Sequence, residues 1–184
     1  MNCIELMIEE HENIKRMLSI IRKYCYKVLK NEPVQYEDFL FIIDFVRNYA
    51  DKHHHGKEET MLFNRMSLEL GEDIEKLVNY GMLAEHDLGR LYMRELEEAV
   101  KKVIDGDDEA RLDVIANAIS YTHLLNRHII KENNAVYKYA VNNLDQKTLD
   151  EINRECEEFE QDPKNREVKQ RYLKLMDELE AKLQ

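Results

Sequence analysis

The sequence is short of the residues that interrupt helices. It has no tryptophan, only 2 prolines and only 5 glycines among its 184 residues. Proline and glycine shape tight turns, so their scarcity disfavours a turn-rich β fold. The sequence also has no apolar run near the ~20 residues that a membrane-spanning helix needs. We therefore expect a helical protein with no membrane partner.

Cysteine is also scarce. Cys3, Cys25 and Cys156 are odd in number, far apart and without a CxxC pair, which argues against a disulfide-stabilised secreted domain. The first residues, "MNCIELMIEEHENIK", are acidic, whereas a signal peptide begins with positive charge. Together these features predict a cytoplasmic protein with reduced thiols.

Acidic residues outnumber basic residues, and the formal net charge is −11. A protein that binds nucleic acid or anionic lipid without sequence preference needs clustered lysine and arginine, and the sequence has no such patch. We expect neither as a partner. The apolar content of 43% is sufficient for a folded core.

Apolar residues recur at alternating spacings of three and four, which is typical of amphipathic helices in a bundle. The predicted helices cover about 2–30, 36–70, 73–105, 109–143, 146–161 and 165–182. The first four are long and joined by short connections, so the predicted fold is all-α, an antiparallel up-and-down four-helix bundle. We assign residues 1–143 to the bundle and 144–184 to a C-terminal helical extension. The extension packs on the same domain or, in a homodimer, on a second copy.

Each long helix carries a histidine at a step of its otherwise apolar stripe, and two helices add a glutamate four residues later. These residues are His11, His54, Glu58, His86, His128 and Glu132. Residues i and i+4 project from one face of a helix. On the fourth helix the stripe then continues to Ala135 and Tyr139.

A single histidine on such a stripe is more often a hydrogen-bonded core residue than a ligand. A buried glutamate without a partner, however, costs several kcal/mol. Because all four helices repeat the pattern, we favour a metal site of four imidazoles and two carboxylates in the bundle core. That donor set suits a pair of iron ions, and di-iron bundles place histidine and glutamate inward by the same helical geometry.

The stretch "YADKHHHGKEETMLF" offers three adjacent histidines, which point ~100° apart on a regular helix. His54 lies on the apolar stripe and has Glu58 four residues on. We therefore predict that His54 is the ligand and that His53 and His55 flank the site. One of the two could support a ligand by a hydrogen bond, but we favour solvent exposure for both. His123 is predicted not to be a ligand.

Four sequence blocks carry a family resemblance. They are "EEHENIKRML" around His11, "DKHHHGKEETMLF" around His54 and Glu58, "GMLAEHDLGRLY" around His86, and "LLNRHIIKENNAVY" around His128 and Glu132. In this order, over about residues 4–139, the sequence resembles the hemerythrin-like (HHE cation-binding) domain family. The resemblance implies a non-haem, oxo- or hydroxo-bridged di-iron centre. Its ligands would be these six residues, with both glutamates as bridges.

Two positions depart from the oxygen-carrying members of that family. Arg90 stands four residues after His86 where they have a histidine, and Asn133 stands where they have an aspartate. The expected site therefore has one imidazole fewer and is more open. This pattern is similar to that of the di-iron proteins linked to iron–sulfur cluster repair. The cysteine-bearing segment often attached to those proteins has no counterpart before Glu10, which counts against repair.

The resemblance implies a protein that binds dioxygen and reduces or senses it, with an electron donor still to be identified. The alternatives are a scavenger of nitric oxide or peroxide, and a non-enzymatic iron or oxygen sensor that acts through a partner. Tyr92 and Tyr121 lie near the stripes and could donate protons or electrons. We favour ordinary core packing with satisfied hydroxyl groups for both.

Overall fold

The computed structural model describes residues 2–183, and this part of the chain is helical throughout, without strands. Helix α1 spans Cys3–Leu29, α5 spans Gln146–Gln161 and α6 spans Pro163–Ala181. Three further long helices combine consecutive α-helical and π-helical segments: α2 covers 37–69, α3 covers 72–104 and α4 covers 111–143. The predicted all-α architecture of four long helices and a helical C-terminal extension is confirmed.

The helix ends follow from local sequence. Asn2 caps α1: its side chain accepts a hydrogen bond from the Glu5 amide, while the Glu5 carboxylate accepts one from the Asn2 amide. Asp162 caps α6 by accepting a hydrogen bond from the Lys164 amide, and Pro163 lies in the first turn, where its missing N–H costs nothing. Gly71 separates α2 from α3 at a φ of 89°, which a residue with a side chain rarely adopts.

The four long helices form an antiparallel bundle. Helix α1 contacts α2 and α4, and α3 contacts the same two helices. The C-terminal helices α5 and α6 lie against α1 and α2 of the same chain. Tyr172, Met176 and Leu179 of α6 are buried in the main hydrophobic core. The extension is thus part of the core, since each such side chain contributes roughly 1.5–3 kcal/mol when fully buried.

Two hydrophobic cores lie at opposite ends of the bundle, with a polar layer between them. The larger core includes Ile14 of α1 and Ala50 of α2. The smaller core includes Met7 of α1 and Leu62 of α2. Along each of these two helices, buried histidine therefore separates one core from the other, as the interrupted stripes predicted.

Four π-helical segments lie around this polar layer: Val46–His55, Glu58–Phe63, Val78–Met82 and Glu132–Val136. A π-helix bonds residue i to i+5 and so adds one residue to the turn. The prediction that the buried stripe of α4 continues to Ala135 and Tyr139 is wrong for this reason. Both are exposed, and Val136 and Tyr137 are buried instead.

Among the helices within residues 2–183, none combines the length and the apolar character that crossing a bilayer requires.

Candidate metal centre

Two groups of metal-ligating side chains meet in the polar layer, and all their members are buried. The first group consists of His11, His54, Glu58 and Glu132. The second consists of His55, Glu58, His86 and His128. Within each group the donor atoms lie within 4.8 Å of one another. Glu58 belongs to both groups, so the two form one continuous cluster.

The structure brings all six predicted residues into this cluster and adds His55. The expectation that His55 is exposed to solvent is wrong, since only 5% of its surface is accessible. It lies in the π-helical segment Val46–His55, where the turn is wider than in an α-helix. The two groups also lie on either side of Glu58. Neighbouring residues can therefore face different groups, with His54 in the first and His55 in the second.

The imidazoles converge in pairs. Nε2 of His11 lies 2.9 Å from Nε2 of His54, and Nε2 of His86 lies 3.0 Å from Nε2 of His128. In a neutral imidazole one nitrogen is a donor and the other an acceptor. Where Nδ1 carries the proton, both Nε2 atoms of a pair present lone pairs to each other. A cation between them turns this repulsion into coordination.

The Nδ1 atoms do have acceptors. Oxygens of four side chains lie 2.7–2.8 Å from them: Asn133 for His11, Glu10 for His54, Glu59 for His86 and Glu85 for His128. An ionised carboxylate only accepts hydrogen bonds, so these contacts place the proton on Nδ1. Metal-binding histidines are commonly oriented in this way. Asn133, which stands where the oxygen-carrying members of the family have an aspartate, accepts the hydrogen bond from Nδ1 of His11.

The protonation of the histidines differs within the cluster. Burial, with the charge of nearby His11, lowers the pKa of His54 to about 4, so its ring is neutral near pH 7. Burial alone would lower the pKa of His128 too, but Glu132 and Glu85 outweigh it and raise that pKa to about 9. Binding of a cation near pH 7 would therefore displace a proton from His128.

The shared carboxylates are buried without adequate partners. Glu58 accepts a hydrogen bond from the Tyr137 hydroxyl, but its second oxygen has none. The oxygens of Glu132 lie 2.8 Å from Nε2 of His128 and 3.2 Å from Nε2 of His11, without the geometry of a hydrogen bond. Burial and the neighbouring Glu132 charge raise the pKa of Glu58 well above its usual range. Cations would satisfy these oxygens, so the residues fit a metal centre.

A buried ion cluster lies behind His54. The Lys57 ammonium is fully buried and donates to Glu10 and to Glu160, the latter from helix α5. His53 lies beside them, its Nε2 3.3 Å from Glu10 and 3.1 Å from Glu160. Burial alone would raise the pKa of Glu10, but hydrogen bonds from His53 and His54 and the charge of Lys57 hold it well below its usual range.

The expectation that His53 is solvent-exposed is therefore also wrong, because only 2% of its surface is accessible. Its ring stacks on Tyr49 at 5.7 Å and meets Phe159 of α5 at 5.1 Å between ring centroids. The physical reason is the C-terminal extension, which covers this face of α2. His53 lies outside both groups and contacts Glu10, which in turn holds His54.

Arg90 stands where the oxygen-carrying members of the family have a histidine, and its side chain contacts carboxylates beside the cluster. Its guanidinium donates to Asp51 at 2.6 Å and to Glu59 at 2.7 Å. Glu59 accepts from His86, and Asp51 lies 3.6 Å from Nδ1 of His55. The His55 ring stacks on His86, with 3.8 Å between centroids. The cluster thus contains a fifth imidazole, that of His55 from α2, and Arg90 holds the carboxylates beside it.

A cavity of about 280 Å³ leads to the second group, and Asp51, His55, His86, Arg90 and Tyr121 are among its lining residues. The Tyr121 hydroxyl is buried and has no hydrogen-bond partner among residues 2–183, so the expected satisfied hydroxyl is not found among these residues.

Gly89 lies against the Tyr121 ring. A side chain at Gly89 would bring a Cβ to 3.4 Å from that ring. Of the remaining candidates, His123 is exposed, as expected for a non-ligand, and Tyr92 is half-buried.

Several functional residues had no usable signal in the sequence. Glu10, Glu59 and Glu85 support histidines of other helices or of neighbouring turns, and such contacts depend on how the helices pack. Tyr137 falls off the regular stripe of α4. The burial of Lys57 between two carboxylates requires Glu160 of α5.

The model of the hemerythrin HHE cation binding domain matches residues 2–140 of the sequence. The chain belongs to this family. The match covers the whole bundle down to the middle of the last segment of α4 and leaves out α5 and α6. Comparisons with curated proteins and with solved structures gave no significant match. Membership of the hemerythrin HHE family supports cation binding by the two groups described above.

Proposed function

We propose that the protein holds two iron ions at the two groups, binds dioxygen there, and reduces it or senses it. The observation that carries the proposal is the sharing of Glu58 between two buried groups of donor atoms. Glu132 supports it further, because its two oxygens approach histidines of different groups. Carboxylates placed in this way are suited to bridge two ions.

The donor set favours iron over other ions. It combines five imidazoles with two carboxylates and contains no thiolate or thioether. Mixed imidazole and carboxylate donors bind iron, whereas thiolates favour zinc or copper(I) and all-oxygen sites favour magnesium or calcium. Carboxylate-bridged di-iron centres are also a recurrent use of the four-helix bundle. The two irons would supply electrons and coordination positions for a small molecule.

The number of donors leaves room for such a molecule. Five imidazole nitrogens and four carboxylate oxygens provide nine donor atoms, whereas two octahedral ions have about twelve positions between them. Solvent-derived bridges and small ligands can take the remainder. Each group contains four residues, with two imidazoles and two carboxylates in the first and three imidazoles and one carboxylate in the second, so both ions have positions to offer.

The chain's own residues have defined tasks in this proposal. Side-chain oxygens that accept hydrogen bonds from Nδ1 orient the imidazoles and keep their Nε2 atoms free for coordination. The Tyr137 hydroxyl can supply a proton at Glu58. The Tyr121 hydroxyl can donate a hydrogen bond to a polar molecule in the cavity. The burial of both groups limits water, so a small ligand meets a preorganised, low-dielectric site.

Scavenging of nitric oxide or peroxide is the second candidate function. It is favoured by two polar residues among those that line the cavity, Arg90 and Tyr121, whose hydroxyl is available for a hydrogen bond to a small polar molecule. A sensor would instead pass the binding event to a partner through α5 and α6. We expect an external electron donor for reduction. A cytoplasmic location stays a prediction from the sequence.

A single anaerobic stopped-flow experiment separates these functions. The protein is loaded with Fe(II) and mixed in turn with dioxygen, peroxide and nitric oxide. We expect a new charge-transfer band in the near-ultraviolet and visible on mixing with dioxygen. Continued oxygen consumption with an added reductant indicates reduction, and a stable adduct indicates sensing or carriage. Faster reaction with nitric oxide or peroxide favours the second candidate. Failure to take up Fe(II) contradicts all of them.

A further inference from the structure

Two cysteines that are far apart in the sequence meet in the fold. Cys3 is the first residue of α1, and Cys156 lies in the last half of α5. Both are buried in the smaller core, where their thiols lie close enough to influence each other's ionisation. The Cys3 amide donates to the Asn153 side chain at 2.8 Å, one turn before Cys156, which fixes the two helices at this point.

The thiol pair borders a surface pocket. Cys3 and Cys156 both line a cavity of about 600 Å³, together with polar side chains that include Asn2, Asn153 and Lys169. A small oxidant can therefore reach sulfur atoms that are otherwise shielded. Cys25 also lines a cavity, of about 760 Å³, but it lies in the larger core, away from the other two cysteines.

The surroundings also favour ionisation of one thiol, the form that reacts with oxidants. The hydrogen bond from Cys3 lowers the pKa of the Cys156 thiol, and the positive charge of Lys57 acts in the same direction against the effect of burial. The same hydrogen bond, with burial, raises the pKa of the Cys3 thiol. Burial raises the pKa of the Cys25 thiol to about 12 despite the nearby charge of Arg22, so this thiol stays protonated near pH 7.

We propose that Cys3 and Cys156 are a redox-active thiol pair, which peroxide oxidises to a disulfide between α1 and α5. In the first step a thiolate sulfur attacks one peroxide oxygen and the O–O bond breaks, so that a sulfenic acid forms and the departing hydroxide becomes water by taking up the proton that the thiol had released. In the second step the other thiol attacks the sulfenic sulfur, the S–S bond forms and a second water leaves. Two thiols and one hydrogen peroxide thus give one disulfide and two waters.

The pair is placed where its oxidation constrains the metal centre. Glu160 lies one turn after Cys156 on α5, and Glu10 lies two turns after Cys3 on α1. These two carboxylates hold Lys57, and Glu10 also holds His54. A disulfide would tie together the two helices that carry them. Neither thiol belongs to the candidate ligand groups, so the proposal is independent of the identity of the metal.

The test is a thiol count on the full-length protein. Reduced protein is exposed to increasing peroxide up to a small molar excess, denatured in an alkylating reagent and digested, and the peptides are identified by mass spectrometry. We expect two of the three thiols to be lost, a Cys3–Cys156 linked peptide to appear, and both thiols to return on treatment with dithiothreitol.

Matched variants make the result specific. Cys25→Ser should still lose both remaining thiols and form the linked peptide. Cys3→Ser and Cys156→Ser should form no intramolecular disulfide. Retention of all three thiols by the wild-type protein would overturn the proposal, as would pairing that involves Cys25 or disulfides between chains. The wild-type peptide map decides the matter even where a serine variant fails to fold. A negative result leaves the iron proposal unaffected.

Discussion

The two groups of donor side chains use the same chemistry in different surroundings. Behind the first group, Glu10 is fully buried and is neutralised by Lys57, under cover of α5. Behind the second, Glu59 and Glu85 are 29% and 26% exposed, and a cavity reaches His55 and His86. The first group is therefore the more rigid and the second is the more accessible to solvent.

The three consecutive histidines lie in three different environments. His53 contacts the buried ion cluster, His54 faces the first group and His55 faces the second. One π-helical segment thus serves three environments. Substitutions in these environments should therefore have effects of different size, the largest of which is expected at the shared carboxylate.

Replacing the shared carboxylate should have the largest effect. The amide in Glu58→Gln cannot act as an anionic bridge between two ions, so both groups lose their common ligand. We expect the two bound ions per chain to fall to almost none after dialysis, measured by elemental analysis. Glu69→Gln, an exposed change on the same helix, should leave metal content unchanged. Full occupancy in Glu58→Gln would show that the groups are not joined through this residue.

Breaking the ion cluster behind the first group should cost the most stability. Lys57→Met leaves two carboxylates without their cation, and removal of one partner from a buried pair typically costs about 3–5 kcal/mol. The measurement is urea unfolding of the metal-free protein followed by circular dichroism. The control is Lys52→Met, because Lys52 is exposed and contacts only Asn48. A change there should stay within about 0.5 kcal/mol, and similar losses in both variants would argue against the cluster.

Replacing a residue that supports the second group should reduce metal affinity less than replacing Glu58 does. Glu85→Gln weakens the hydrogen bond that orients His128, and loss of such an outer partner typically costs about 10–100-fold in affinity. Competition with a chelator measures this loss. Glu98→Gln on the same helix is exposed and should change nothing. An unchanged affinity in Glu85→Gln would mean that His128 needs no outer support.

The smallest expected effect is the contribution of Glu160 to the pH dependence of the unfolding free energy. Burial alone would raise the pKa of Glu160, but hydrogen bonds from His53 and Lys57 outweigh it and hold that pKa below the usual value of 4.5. A depressed pKa stabilises the fold above the unfolded-state pKa, and this stabilisation is lost as the pH falls through the folded-state pKa.

We therefore expect wild-type metal-free protein to lose more unfolding free energy between pH 6 and pH 3 than Glu160→Gln does. Urea unfolding at several pH values measures the difference. Parallel curves for the two proteins would contradict the stabilising role of Glu160.

The sequence predicted what depends on regular spacing. The four long helices and the inward positions of His11, His86 and His128 follow from a period that α-helices maintain. The role of His55 and the burial of Tyr137 could not be predicted in this way, because π-helical segments shift the buried face by one residue. The burial of His53 depends on Phe159 and Glu160 of α5. The contact of Cys3 with Cys156 depends on how the two ends of the chain pack, for which spacing gives no signal.

The most direct test concerns the neighbours His54 and His55. Fe(II) bound per chain is measured by anaerobic equilibrium dialysis and elemental analysis for the wild-type protein, His53→Ala, His54→Ala and His55→Ala. We predict two ions for the wild type and for His53→Ala, and about one tightly bound ion for each of the other two variants, because His54 and His55 serve different ions. Two ions bound with wild-type affinity by His55→Ala, or a single ion in the wild type, would contradict a centre built from two groups that share Glu58.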